Sequence, residues 1–324
     1  MKKAFIVIAT MLIFIVVSAC SADVKPASMS AEDIHVSYPK FSYPAAEEPF
    51  SRKDISFHLS ETQDMDLNKT FKVYRIARNS ISADDKKKIV DAFELQDYTA
   101  TIDSSDITNY CVGNKQISIY PNGVFTFEIT DDTDRKDHPF DLANDKVGQI
   151  AKSFLSSRGL LPSDFVLTDR FGKQGVVFEK DGIERNVITA KGARFERRLD
   201  GIEVIGTSKI LVSMNTDGIC SVYSVYSRIE DVAEVELVNI SEAMRRSKTP
   251  DPLLTWELDK QSGEVTKAVI DEVKIVYYDD PLDEQATHIQ PCYFFEGKAT
   301  DETDNTFDFS MIVPALAQEC YLSN

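Results

Sequence analysis

The stretch RFERRLDGIEVIGTSKILVSMNTDGICSVYSVYSRI, residues 194–229, decides how this chain folds. Apolar and polar residues alternate through most of it, the period of a strand with one face on a core and the other toward water. Asp200-Gly201 and Asp217-Gly218 interrupt the alternation, and Asp-Gly pairs favour the tight turns of hairpins. The reading is three strands: one through Phe195 and Leu199, one running from 202 to 215, and one from 219 onward. Such an antiparallel meander needs a cover on its apolar face. DLANDKVGQIAKSFLSSRG, residues 141–159, is the natural one. Val147, Ile150, Ala151, Phe154 and Leu155 make a helical stripe, and Gly159 stands where a helix ends.

Toward the N-terminus, residues 69–78 alternate like a strand through Phe71 and Val73. Residues 82–95 read as a helix with Ser82 as N-cap, Asp85 three positions on, and Ile89, Ala92 and Phe93 on one face. Residues 115–129 read as a hairpin around Pro121-Asn122-Gly123. Toward the C-terminus, a short helix is expected over 241–248 and strands over 267–280, 288–297 and 307–316. Residues 171–190 are taken as a connector. The fold class that follows is α+β, a helix plus antiparallel β-meander unit repeated at least twice. The domain organisation is a leader over 1–19, an anchor and tether over 20–50, an N-terminal α+β domain over 51–140 and a second over 141–324.

The leader carries an address. Lys2 and Lys3 precede an apolar run, Ala4 to Val17, too short for a comfortable membrane span. It ends in VSAC, small residues immediately before Cys20. That pattern resembles the bacterial lipobox, in which the cysteine becomes the acylated first residue of the mature protein; a secretory peptide cut near Ala19, or an uncleaved anchor, is the alternative. The expected place is the cell envelope, anchored to the outer face of the cytoplasmic membrane or, in a two-membrane envelope, to the outer membrane. Residues 21–50 hold four prolines, many small residues and no sustained period, and read as a tether. Removing residues 1–19 takes away the two lysines and no acid, so the formal charge moves from −17 to −19. So acidic a chain argues against nucleic acid and against adsorption on anionic lipid. Beyond Cys20 stand Cys111, Cys220, Cys292 and Cys320, with no C-x-x-C pair. They allow two disulfides, Cys292 with Cys320 among the options, or buried thiols.

No catalytic spacing emerges. His35, His58, His138 and His288 stand far apart, and no H-E-x-x-H, G-x-S-x-G or P-loop pattern occurs. The acidic stretch 131–141 lacks the central glycine and final glutamate of a calcium loop. With 53 acids in the chain, close carboxylate pairs carry no signal. No metal and no cofactor is therefore expected. Arg194, Arg197 and Arg198 cluster in an otherwise acidic protein and are the candidate partner-binding residues. In a strand, Arg194 and Arg198 share a face with Glu196, which also allows a local salt-bridged surface.

Phe195, the run Gly201-Ile202-Glu203-Val204-Ile205-Gly206 and the Asp217-Gly218 turn resemble the PepSY-type module of bacterial envelope proteins and peptidase propeptides. Members often carry proline where this chain has Glu203. Pro291, Tyr293, Phe295 and Gly297, followed by Val313-Pro314-Ala315, resemble the closing strands of YycI/YycH-like regulators of a sensor kinase. The resemblance spans roughly 141–316. It implies a non-enzymatic protein that binds and modulates another envelope protein, such as a sensor kinase or peptidase, or a peptide; such regulators are commonly held by a transmembrane helix, whereas the leader of this chain reads as a lipid anchor. Two other functions stay open: a solute- or metal-binding lipoprotein serving a transporter, and a cell-wall hydrolase.

Overall fold

The computed structural model describes residues 27–28, 36, 56–59, 70–130, 139–180, 183–247, 255–258, 265–283 and 285–321. The leader, Cys20, and residues 131–138 of the acidic stretch lie outside them. Three strands, β1 (Ala27–Ser28), β2 (Ser56–Leu59) and β3 (Phe71–Ile76), precede helix α1 (Ala83–Ala92). Then come β4 (Thr99–Ile102), β5 (Thr108–Val112), β6 (Lys115–Ile119), β7 (Phe125–Ile129) and helix α2 (Asn144–Ser157). Two long strands follow, β8 (Phe165–Lys180) and β9 (Ile183–Leu199). After them run β10 (Ile202–Gly206), β11 (Lys209–Asn215), β12 (Gly218–Val225) and β13 (Ile229–Val235). Helix α3 (Ile240–Arg246) leads to β14 (Thr255–Leu258), β15 (Val265–Asp279), β16 (His288–Asp301) and β17 (Thr306–Pro314).

The expected repeat of helix-plus-meander units is corrected here. Seventeen strands and three α-helices make a large, mostly antiparallel β-sheet fold among the described residues. Strands assigned to separate units pair with one another. β7 joins β12, so that β4-β5-β6-β7-β12-β11-β9-β8 form one antiparallel run of eight. β3 pairs with β13 and with the start of β16, across the expected boundary at 140/141. The expected strand over 202–215 breaks at Gly206, whose φ is +106°. There β10 leaves the meander and runs parallel to the end of β15, Val204 opposite Tyr277. β15, β16, β17 and β14 complete a second sheet, to which β2 adds in parallel. Alternation marks a strand and its buried face; it does not name the neighbour, and the neighbours here are remote in sequence.

Both long helices lie on one face of the eight-stranded run. Ile89, Val90 and Phe93 of the first helical segment and Val147, Ala151 and Leu155 of α2 pack with Ile117, Phe127, Phe195, Ile210 and Val212. Phe93 stacks on Phe127 with centroids 4.3 Å apart. Ile150, placed in the apolar stripe by periodicity, is 42 % exposed. Ser82 caps α1 as read, its Oγ accepting from the Asp85 N–H at 3.1 Å. The cap of α3 is Asn239, two residues before the expected Ser241. Part of the tether segment docks on the body: Ala27 and Ser28 pair with β13, and Val36 is fully buried beside Tyr321. The four cysteines form no disulfide; Cys292 is fully buried, and burial pushes its thiol up.

Where β16 meets β3, His288 is opposite Arg75 in the register. Burial, then the charges of Arg75 and Arg78, push its imidazole down to about 4, against a smaller opposing pull from Asp231. The folded state therefore holds this ring neutral where the unfolded chain takes a proton. Stability is expected to fall as the pH drops from about 6.5 toward 4, by roughly 3 kcal/mol from this residue. His288→Gln should flatten that part of the denaturation-midpoint profile, and an unchanged acid slope in the variant would remove His288 as its source.

Candidate functional site

The face of the eight-stranded run away from the helices carries a shallow groove. It sits where β8, β9 and β11 lie side by side. In β11, Ile210, Val212 and Met214 are buried under the helix, and the alternate residues Leu211 and Ser213 point the other way. Arg194 is opposite Leu211, and Gly192 opposite Ser213. Gly192 is in turn paired with Gly172 of β8. The groove has a volume of about 340 Å³ and is lined by Arg170, Gly172, Gly192, Arg194, Leu211 and Ser213, with Phe171 and Ala193 beneath.

Its rim is cationic. Glu196, whose side chain is only 14 % exposed, takes Arg194 Nε at 2.8 Å and Arg170 at 3.3 Å on one carboxylate oxygen. Lys209 stands opposite Glu196 in the ladder. Burial, then the nearby charge of Arg194, hold its ammonium below the usual lysine range. Two arginines thus share one carboxylate, with a lysine at the adjacent ladder position, within a chain of net charge −17. β8 pairs with β9 alone among the described residues, so its outer backbone edge runs beside the groove.

The three arginines read from the sequence part company. Arg194 is on the groove. Arg198 is exposed on the same face of β9, its N–H donating to the Asp164 carbonyl at 2.7 Å. Arg197 points the opposite way and is 4 % exposed. It meets Asp164 at 2.7 Å, Asp279 at 3.4 Å and the Ser227 carbonyl at 2.8 Å. Phe165 and Tyr226 flank its guanidinium. Arg197 is therefore a buried tie between β9 and the end of β15, and its place in the partner surface is withdrawn. Two neighbouring acids of the run 279–284 are engaged internally: Asp279 by Arg197, and Asp280 by the Thr207 hydroxyl at 2.6 Å.

Gly172 was hidden from sequence reasoning because 171–190 read as a connector, and Arg170 and Gly192, which flank that stretch, were assigned to no strand. The available signal was Asp181-Gly182, a hairpin dipeptide between two β-branched runs. Among the described residues no group of three histidine, cysteine, aspartate or glutamate side chains is placed to hold a metal. Nor does any described helix have the length and apolarity to cross a membrane. Compared with known proteins, the chain matches no family description and no curated protein.

Proposed function

We propose that this chain is a non-enzymatic envelope protein, lipid-anchored at Cys20, that binds another extracytoplasmic protein and modulates it. The observation that carries the reading is the cationic groove lying against the edge of β8 that pairs with no other described strand. Strand edges recruit partner segments through main-chain hydrogen bonds, and adjoining side-chain pockets make the pairing selective. The address is supported by the charged, apolar and small-residue pattern ending at Cys20. Resemblance of 141–316 to regulatory envelope modules points to the same kind of role.

Photo-crosslinking in intact cells tests it. With a photoreactive residue in place of Leu211, the full chain is expected to join one discrete envelope protein. The same residue at Lys87, exposed on α1 away from the groove, is expected to give no such product. Equal products from both positions, or none from Leu211, would overturn the reading.

A further inference from the structure

Gly172 is a glycine that the fold does not require. The other described glycines that a side chain would leave uncrowded, Gly113, Gly159, Gly201 and Gly218, all have positive φ, a backbone region that L side chains rarely adopt. Gly172 has no such φ, and a Cβ built on it meets no described atom within 4 Å. Its partner Gly192 is nearly as open, with the Ser213 Oγ at 3.4 Å as the nearest atom. Glycine weakens a strand interior, and a β-branched residue would strengthen it. Two facing glycines therefore leave bare backbone in the floor of the groove at a cost in stability, with no gain in packing or turn geometry. Close approach of another chain is the remaining use of such a floor.

From this floor and the charge around it we infer that the groove receives an extended acidic peptide segment of the partner, its carboxylate side chain between Arg170 and Arg194. This rests on the partner-binding reading and names the occupant. The two guanidinium groups already converge on a single oxygen of Glu196, and a guanidinium fork matches a carboxylate in two parallel hydrogen bonds. Leu211 supplies an apolar wall for the aliphatic part of a neighbouring side chain, and Ser213 a hydroxyl for a peptide group. A strand added to the edge of β8 sends every second side chain over this face. The charge of −17 on the whole chain is screened over about 8 Å at physiological salt, so the local cations govern the contact.

The test is fluorescence anisotropy with the full chain in detergent and a labelled peptide of alternating glutamate and valine. The acidic peptide is expected to bind and its lysine counterpart not to. Arg194→Gln should weaken binding by about tenfold, the loss of one charge-assisted pair. Gly172→Val should abolish it while leaving the melting temperature equal or higher, because the new side chain enters open space. Equal binding of both peptides, or unchanged binding to a folded Gly172→Val protein, overturns the inference. So does binding of inorganic phosphate or anionic vesicles in preference to the acidic peptide. The crosslink from Leu211 separates the two proposals. If it persists in Gly172→Val cells, the partner-binding reading stands and the acidic occupant falls; if Leu211 never crosslinks, the broader reading falls.

Discussion

Replacing Gly297 with alanine is expected to remove a large share of the protein's stability. Gly297 lies in β16, which is hydrogen-bonded on both sides, with Ile270 of β15 and Phe309 of β17 as its register partners. A methyl group on Gly297 would overlap the Val269 carbonyl oxygen, and would stand 2.9 Å from the carbonyl carbon and 3.0 Å from Ile270 Cα. All three are backbone atoms, so no rotamer change relieves the clash. The neighbouring ladder is already irregular, with a register shift between Ile270 and Glu272, and further displacement breaks its hydrogen bonds. Overpacking that side chains can absorb costs about 1–3 kcal/mol. Here the backbone must yield, so the loss belongs at or above about 3 kcal/mol, a large share of a total near 5–15. Chemical denaturation of the full chain in detergent reads it directly. Gly172→Val is the matched control, a larger substitution at a strand glycine with open space above it. A Gly297→Ala midpoint equal to the parent's would show that β15 and β16 do not pair in this register. Gly206→Ala is the same case in kind, since its methyl would overlap the Asp279 carbonyl oxygen where β10 crosses to β15.

Gly206 and Gly297 were legible as structural positions, and the reason for each was not. Both stand in recognisable turn-and-strand patterns, yet the atoms that exclude a side chain belong to Asp279 and Val269, both in the strand expected over 267–280, and nothing in the sequence sets that strand beside either glycine. The same limit shaped the topology. β11 could be read because one face is buried and one is not, which leaves Ile210, Val212 and Met214 in strict alternation. The first six residues of β16, His288 to Tyr293, are buried on both faces, so polar and apolar residues no longer alternate with exposure, and His288 and Gln290 are buried among them. α1 and α2 were legible because a cap and an amphipathic stripe are local signals. The pairings β7–β12 and β10–β15 are not local, and nothing in either strand names its partner. At the site, the period of two placed Arg194 and Arg198 together with Glu196. It also sent Arg197 to the other face, where grouping by adjacency in the sequence concealed a different fate. Its partners Asp164 and Asp279 lie 33 and 82 residues away.

Arg197→Met should then behave as the loss of a buried ion pair. The Asp279 side chain is fully buried, held by Arg197 and by the Ser227 N–H at 3.2 Å, with the hydroxyls of Ser208 and Ser227 alongside. Burial already raises its carboxyl above the usual range, against the lowering effects of Arg197 and those donors. Methionine keeps much of the bulk of arginine between Phe165 and Tyr226 but withdraws the charge. The carboxylate left behind has no counter-ion in a low-dielectric site, and breaking a buried pair in this way costs about 3–5 kcal/mol. The pH dependence follows from the same group. A carboxyl whose folded pKa is raised lends stability below its unfolded pKa of 3.8 and loses it as the pH climbs through the folded value. Without Arg197 that folded value rises further. The variant's deficit is therefore expected to be greatest near neutral pH and to shrink in acid, as Asp279 takes up a proton. Asp279→Asn added to Arg197→Met should recover a large part of the deficit at neutral pH by removing the stranded charge. Denaturation midpoints of the parent, single and double variants at about pH 7 and about pH 5 test both statements. A single variant within about 1 kcal/mol of the parent at neutral pH, inside the range of exposed pairs, would mean that water reaches Asp279. A double variant no more stable than the single would mean that Arg197 acts through Asp164 and the Ser227 carbonyl, and not through the buried carboxylate. Because Arg197 and Arg194 project from opposite faces of β9, this tie also fixes the strand on which the groove is built. Arg197→Met should therefore lower stability first, and affinity for the acidic peptide only as β9 loosens from β15.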